Sequence, residues 1–184
     1  MIVCLGWGSL IWCSKALPVN GTWMSDGPAL PVEFARQSRD DRITLVICDG
    51  SPAIPVFWAE LNVKTVDEGR KVLATREGVT VGRIDKDIGS WSGDTVGNQY
   101  GREAVGAWAR ERNIEGVVWT ALGPKIGGER RKPTEQEVIN HLRHLSGAAA
   151  EAAEEYVRLA PRQIVTPYRA AIEATFGWSA SGLV

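Results

Sequence analysis

Several things that often announce a function are scarce in this chain. It carries three cysteines and two histidines among 184 residues. Cys4, Cys13 and Cys48 form an odd set without a close pair, and two of them sit in apolar runs, where free cysteine behaves as a small hydrophobe. That pattern points away from a disulfide framework and from redox chemistry. A nucleophilic cysteine would want a histidine base, yet His141 and His144 lie together late in the chain. An excess of one charge is missing as well: 21 basic and 22 acidic residues interleave and leave a net charge of -1. With no stripe of like charge to meet a polyanion, nucleic acid is not an expected partner. The apolar runs are only of strand length, and the N-terminus lacks the basic flank, apolar core and cleavage site of a signal peptide. The expectation is a soluble cytoplasmic protein with no membrane partner.

What is present is enough apolar material, 44% of the residues, for one good core. A single domain over residues 1–184 is expected. Strands are predicted at Ile2 to Gly6, Pro31 to Arg36, Arg42 to Cys48 and Ile54 to Asn62, all rich in branched and aromatic residues. Asp40-Asp41 reads as a tight turn between the second and third of these, and Gly50-Ser51-Pro52 as another between the third and fourth. Leu10 to Leu30 shows no sustained periodicity and reads as a long ordered loop. Thr65-Val66-Asp67-Glu68 has the form of a capping box, and Val66, Gly69, Val72 and Leu73 recur at helical spacing behind it, so a helix should run to about Arg76. Gly78 suits a left-handed C-cap.

Farther on, Gly82 to Asn98 looks irregular, Gln99 to Asn113 helical and Ile114 to Leu122 a strand. Gly123 to Pro133 reads as a basic loop. Thr134-Glu135-Gln136-Glu137 is a second capping box, opening a helix through Leu145, and helices are predicted at Ala148 to Leu159 and Pro167 to Phe176. Strands first and helices later, with one late strand, argue for an α+β fold rather than βαβ units.

Two short segments stand out. Gly6-Trp7-Gly8-Ser9-Leu10 leaves the first strand with two glycines and a serine, so successive backbone N–H groups can turn toward an anion. Arg76-Glu77-Gly78-Val79 places a carboxylate at a helix C-terminus, where the macrodipole is negative. The first segment lacks the third glycine of a dinucleotide fingerprint, since Ile11 stands in that place, and no βαβ unit surrounds it.

The glycine-serine loop, the run Val56-Phe57-Trp58-Ala59-Glu60-Leu61, the helix behind it and Arg76-Glu77-Gly78-Val79-Thr80-Val81-Gly82 resemble, in order and spacing, the gamma-glutamyl cyclotransferase superfamily. The resemblance covers about residues 2 to 84, and Val117-Val118-Trp119-Thr120 fits a later strand of the family. Its surroundings look most like a bacterial branch rather than the glutathione-specific one. The chain departs from the family pattern at Trp7, where tyrosine is usual, at Leu10, where asparagine or a small polar residue is common, and at Ile84, near an aromatic position.

The resemblance implies an α+β fold with a small, mixed, barrel-like sheet flanked by helices. It also implies a cofactor-free enzyme that releases 5-oxoproline from a small γ-glutamyl amine or peptide. Glu77 would be the general acid/base. The Gly8, Ser9 and Leu10 amides would hold the substrate's α-carboxylate, Trp7 and Arg36 would join them in binding substrate, and Arg36 and Arg76 are possible electrostatic supports.

Each assignment has a plainer reading. A strand followed by glycines and a serine is often only a turn, and most helix-end glutamates are solvated. The eight tryptophans, among them Trp7, Trp12, Trp58 and Trp91, can line a pocket or fill a core. His141, His144 and Glu137 have helical spacing compatible with metal ligation, but Leu142 and Leu145 mark their helix as a core element, and no metal is expected. The rival to an enzyme is a non-catalytic binding module for small carboxylates. The sequence leaves the oligomeric state and the leaving amine open.

Overall fold

In a computed structural model, residues 1–93 and 101–181 are described. Gln99 and Tyr100 of the expected helix, and residues 94–98 of the stretch expected to be irregular, lie outside them. The described strands are β1 (Ile2–Gly6), β2 (Val19–Met24), β3 (Ala29–Gln37), β4 (Ile43–Ile47), β5 (Ala53–Pro55), β6 (Phe57–Leu61), β7 (Ile88–Ser92) and β8 (Gly116–Thr120). The described α-helices are α1 (Val66–Glu77), α2 (Ile84–Asp87), α3 (Arg102–Glu111), α4 (Glu135–His144), α5 (Gly147–Leu159) and α6 (Pro167–Phe176). None of them is long and apolar enough to cross a membrane. The class is α+β. The strands form one five-stranded and one three-stranded sheet, and neither closes, so the barrel-like sheet implied by the resemblance is not what these residues build.

The chain gathers into two compact units. The first comprises Met1–Gly6, Leu10–Leu30 and Pro55–Leu122. Its sheet has the order β2-β6-β1-β8-β7. β1 lies parallel to β8, with Cys4 opposite Val118, and antiparallel to β6. All five residues of β1 are buried, as expected of a central strand covered on both sides.

Helix α1 packs on one face of this sheet. Its start is set by Thr65, whose hydroxyl accepts the Glu68 N–H at 3.2 Å, while the Glu68 carboxylate reaches back to the Lys64 N–H at 2.7 Å. Gly69 brings the helix close, because a Cβ there would stand 3.4 Å from methyl groups of Ile2 and Val118. Farther along, Leu73 and Ala74 join Cys4, Leu61, Ile88 and Val118 in one apolar cluster. Burying a side chain such as Leu73 contributes about 1.5–3 kcal/mol. A Cβ on Gly116, at the start of β8, would collide with Val66, so the helix begins over the start of β8. It therefore runs in the same direction as β1 and β8 and ends at their C-terminal ends. Gly78 closes it with φ 65°, in the left-handed region that favours glycine.

The second unit comprises Trp7–Ser9, Pro31–Ile54 and the chain from Gly123 on. Its sheet has the order β4-β3-β5. β3 and β4 form the antiparallel hairpin expected around Asp40-Asp41, with Val32 opposite Ile47. The turn at Gly50-Ser51-Pro52 does not make a second hairpin with β4: the strand after it lies on the other side of β3. The basic loop continues this sheet, since Gln37 donates to the Lys125 carbonyl at 2.8 Å and Lys125 to the Ala35 carbonyl at 3.0 Å.

Two buried charged residues fasten the helices of this unit. The Arg169 guanidinium donates to the carbonyls of Pro161 at 2.6 Å, Ala160 at 2.9 Å and Ile164 at 3.0 Å, satisfying backbone oxygens exposed where α5 ends. Glu33, only 1% exposed, accepts the Phe34 N–H at 2.8 Å, the Tyr168 N–H at 3.4 Å and the Thr166 hydroxyl. Thr166 is in turn the N-cap of α6, so a β3 carboxylate binds a helix N-terminus, where the macrodipole favours it. Burial nevertheless pushes the Glu33 carboxyl up, against the opposing pull of these hydrogen bonds and of Lys132.

Because Glu33 keeps its proton in the folded state at a pH where the unfolded chain has lost it, its stabilising contribution is complete below its ordinary value of 4.5. That contribution is lost as pH rises through the higher folded value. Glu33→Gln, neutral throughout, should flatten the dependence of the urea midpoint on pH above 4.5. An unchanged slope in the variant would show that Glu33 is not its source.

Candidate active site

The glycine-serine loop starts where β1 ends. Trp7 is 5% exposed, and its indole N–H donates to the Leu45 carbonyl at 3.2 Å. A Cβ on Gly8 would collide with the Tyr156 hydroxyl, which itself accepts the Leu45 N–H at 3.2 Å. Glycine is thus required at position 8 by a close protein contact, whatever else the loop binds. Trp7, Gly8 and the half-buried Ser9 belong to the second unit. Leu10 belongs to the first, where its side chain is 6% exposed in the cluster with Cys4, Leu17 and Leu73. Leucine here serves the core beneath α1.

Glu77 is the last residue of α1. The Arg76 guanidinium donates to its carboxylate at 2.7 Å through Nη1 and to the Cys13 carbonyl at 2.7 Å through Nη2. The two side chains are 7% and 16% exposed, so this pair is largely enclosed rather than a solvated surface contact. A cation at this point offsets the negative end of the helix dipole. The same guanidinium ties the end of α1 to the segment following the loop. That segment is braced internally: the Ser14 hydroxyl donates to the Leu10 carbonyl at 2.6 Å, and the Trp23 indole N–H reaches Ser14 Oγ at 3.4 Å.

Trp23, which with Trp12 reads from the sequence as able to pin the stretch from Leu10 to Leu30 onto the sheet, belongs to this neighbourhood. A Cβ on Gly6 would meet its ring at 2.7 Å, so the indole lies directly against the end of β1. Cys4 lies beneath the same end of the sheet. Burial first, and then the Glu77 charge, push its thiol up, with Arg76 opposing, so Cys4 is held as a neutral core thiol rather than a nucleophile.

The remaining candidates are accounted for locally. Arg36, in the second unit, donates to the Gly123 carbonyl at 2.7 Å and so anchors the basic loop. Ile84 is half-buried and packs on the cluster beneath α1. Trp58 and Trp108 meet edge to face at 5.6 Å, and both indoles donate to Asp26, at 2.8 and 3.0 Å. Trp91 is buried. The His141 and His144 ring nitrogens face the carbonyls of Asp41 and Asn140, each at 2.6 Å, and Glu137 pairs with Arg131. Among the described residues no cluster of three or more histidine, cysteine, aspartate or glutamate side chains is arranged to hold a metal ion.

Leu10→Asn tests the placement of the loop's last residue. Removing a buried leucine and burying an amide there should cost about 3–5 kcal/mol. At about 2–4 °C per kcal/mol for a chain of this size, the unfolding midpoint should fall by roughly 10 °C. An unchanged midpoint would show that position 10 faces solvent.

No family model, no curated protein and no solved structure matches this chain.

Proposed function

We propose that the chain is a gamma-glutamyl cyclotransferase-like enzyme, releasing 5-oxoproline from a γ-glutamyl amine or peptide with Glu77 as the general acid/base. The observation that carries this reading is the enclosed Glu77, braced by Arg76 against the segment after the glycine-serine loop, at the C-terminal ends of a parallel strand pair. The motif resemblance selected the same residue.

In this reaction the substrate's own α-amine attacks its γ-carbonyl carbon. A carbon–nitrogen bond forms to close the five-membered ring, and the bond to the leaving amine breaks. The protons lost from the α-ammonium end on the leaving amine, with the Glu77 carboxylate carrying them across. Since the nucleophile is already attached, the rate gains from an effective molarity of about 10^5 to 10^8 M for a well-oriented internal reaction. The protein then needs chiefly to orient the γ-glutamyl unit and move protons, a role in which a positioned carboxylate contributes typically ~10^2 to 10^4-fold. In this reading the amides of Gly8, Ser9 and Leu10 are assigned to the substrate's α-carboxylate. Trp7 contributes backbone only, because its indole N–H is engaged with Leu45.

Assays of 5-oxoproline release from γ-glutamyl amino acids, γ-glutamyl amines and glutathione test the proposal. Glu77→Gln should lower kcat by ~10^2-fold or more. Glutamine still offers Arg76 an oxygen, so the unfolding midpoint should fall by no more than about 4 °C, the shift expected for ~1 kcal/mol. A variant with full turnover would remove the catalytic assignment. A wild type without turnover that is nevertheless stabilised by L-glutamate or 5-oxoproline would favour the non-catalytic carboxylate-binding module. The Gly8 contact with Tyr156 is compatible with that second reading, since it explains the glycine without any chemistry.

A further inference from the structure

The C-terminal end of β8 carries a polar group that the protein leaves unused. Thr120 Oγ1 is buried and has no hydrogen-bond partner among the described residues. A buried hydroxyl without a partner is costly, and in native proteins such a group marks a role beyond stability or a bound water.

Its position narrows that role. Thr120 pairs with Ile88 of β7, and Ile88 belongs to the apolar cluster with Leu73 and Ala74 of α1. Thr120 therefore lies on the sheet face that α1 covers. Cys4 of β1 stands opposite Val118, so two residues farther along each strand the alternation of side chains puts Gly6 and Thr120 on that same face, at adjacent strand ends. This is where α1 terminates in Glu77 and where the Trp23 ring lies against Gly6.

The Trp23 ring covers this strand end, packed against the cluster beneath α1. It sits in edge strand β2, whose register shifts between Asn20 and Met24, and its indole N–H donates to Ser14 Oγ over a long 3.4 Å.

We propose that Thr120 is a substrate-binding residue: when the Trp23 indole shifts, the Thr120 hydroxyl donates to a carboxylate or carbonyl oxygen of the γ-glutamyl unit held near Glu77. The inference rests on the function proposed above for its choice of ligand, but not for the placement of the hydroxyl. It makes an unusual paired forecast. Thr120→Val keeps the shape and removes the unpartnered hydroxyl, so the ligand-free protein should become more stable, by about 2–4 °C in unfolding midpoint. The same change should raise KM for a γ-glutamyl dipeptide roughly three- to tenfold and abolish the midpoint increase given by 5-oxoproline or L-glutamate. Thr120→Ser, which restores the hydroxyl, should recover wild-type KM and ligand response.

A valine variant with wild-type KM and an intact ligand-dependent shift would overturn the inference. So would one that lowers the ligand-free midpoint, since the hydroxyl would then have a stabilising protein partner. If the wild type turns over no γ-glutamyl compound but is stabilised by 5-oxoproline or L-glutamate, and the valine variant loses that response, the enzymatic reading fails while the Thr120 assignment stands. A wild type that shows neither turnover nor a ligand-dependent shift overturns both.

Discussion

One guanidinium organises the candidate site. Arg76 faces Glu77 with one nitrogen and the Cys13 carbonyl with another, both at 2.7 Å. A carboxylate at the last residue of a helix faces an unfavourable dipole and, left alone, would turn to water. With its arginine neighbour enclosed beside it, Glu77 is instead held near the segment that continues from the glycine-serine loop. The packing below supports this arrangement: Leu10, Leu73 and Cys4 share one cluster, which joins α1, the start of the segment and the central strand. Close packing of this kind transmits small displacements, so a change at the core leucine of position 10 is expected to be felt at Cys4 and Leu73.

How much of this was legible in the sequence depends on whether local signals were intact. β1 and α6 have the limits read from apolar runs and caps, and α1 ends one residue beyond the expected position, with Gly78 in the left-handed C-cap. β2 escaped notice because Gly21 adopts φ 83° and the register shifts between Asn20 and Met24, which breaks the period of two that betrays a strand. The stretch from Val81 to Ser92 packs a 3-10 turn, the four-residue α2 and β7 into too few residues for any period to show. Ile54 to Asn62 read as one strand because it is rich in branched and aromatic residues, yet its two parts serve different sheets, with the break at Val56, whose N–H and carbonyl pair with Pro28 and Gly27. The site was legible in part. A glutamate before a C-capping glycine can be picked out by motif, whereas the partner of Arg76, the ring against Gly6 and the unpartnered Thr120 hydroxyl depend on contacts between residues far apart in the chain.

The second unit shows how buried charge is used without chemistry. Arg169 and Glu33 are nearly inaccessible, and each is surrounded by backbone groups that helix ends leave unsatisfied. Replacing either by an apolar residue would strand those carbonyls and N–H groups, so the cost lies in what is left unpaired rather than in the charge itself. The contrast with Thr120 is instructive. There the unpaired group is tolerated, at the C-terminal end of β8 on the sheet face that α1 covers.

The central claim is that Arg76 and Glu77 act as one proton-transfer unit. A double-mutant cycle on 5-oxoproline release with Arg76→Met, Glu77→Gln and the pair measures it directly. If Arg76 works through Glu77, the double variant should turn over no more slowly than Glu77→Gln alone, because removing the carboxylate removes what the arginine supports. Losses in kcat that simply multiply would contradict the account and leave Arg76 a structural tie with no part in the chemistry.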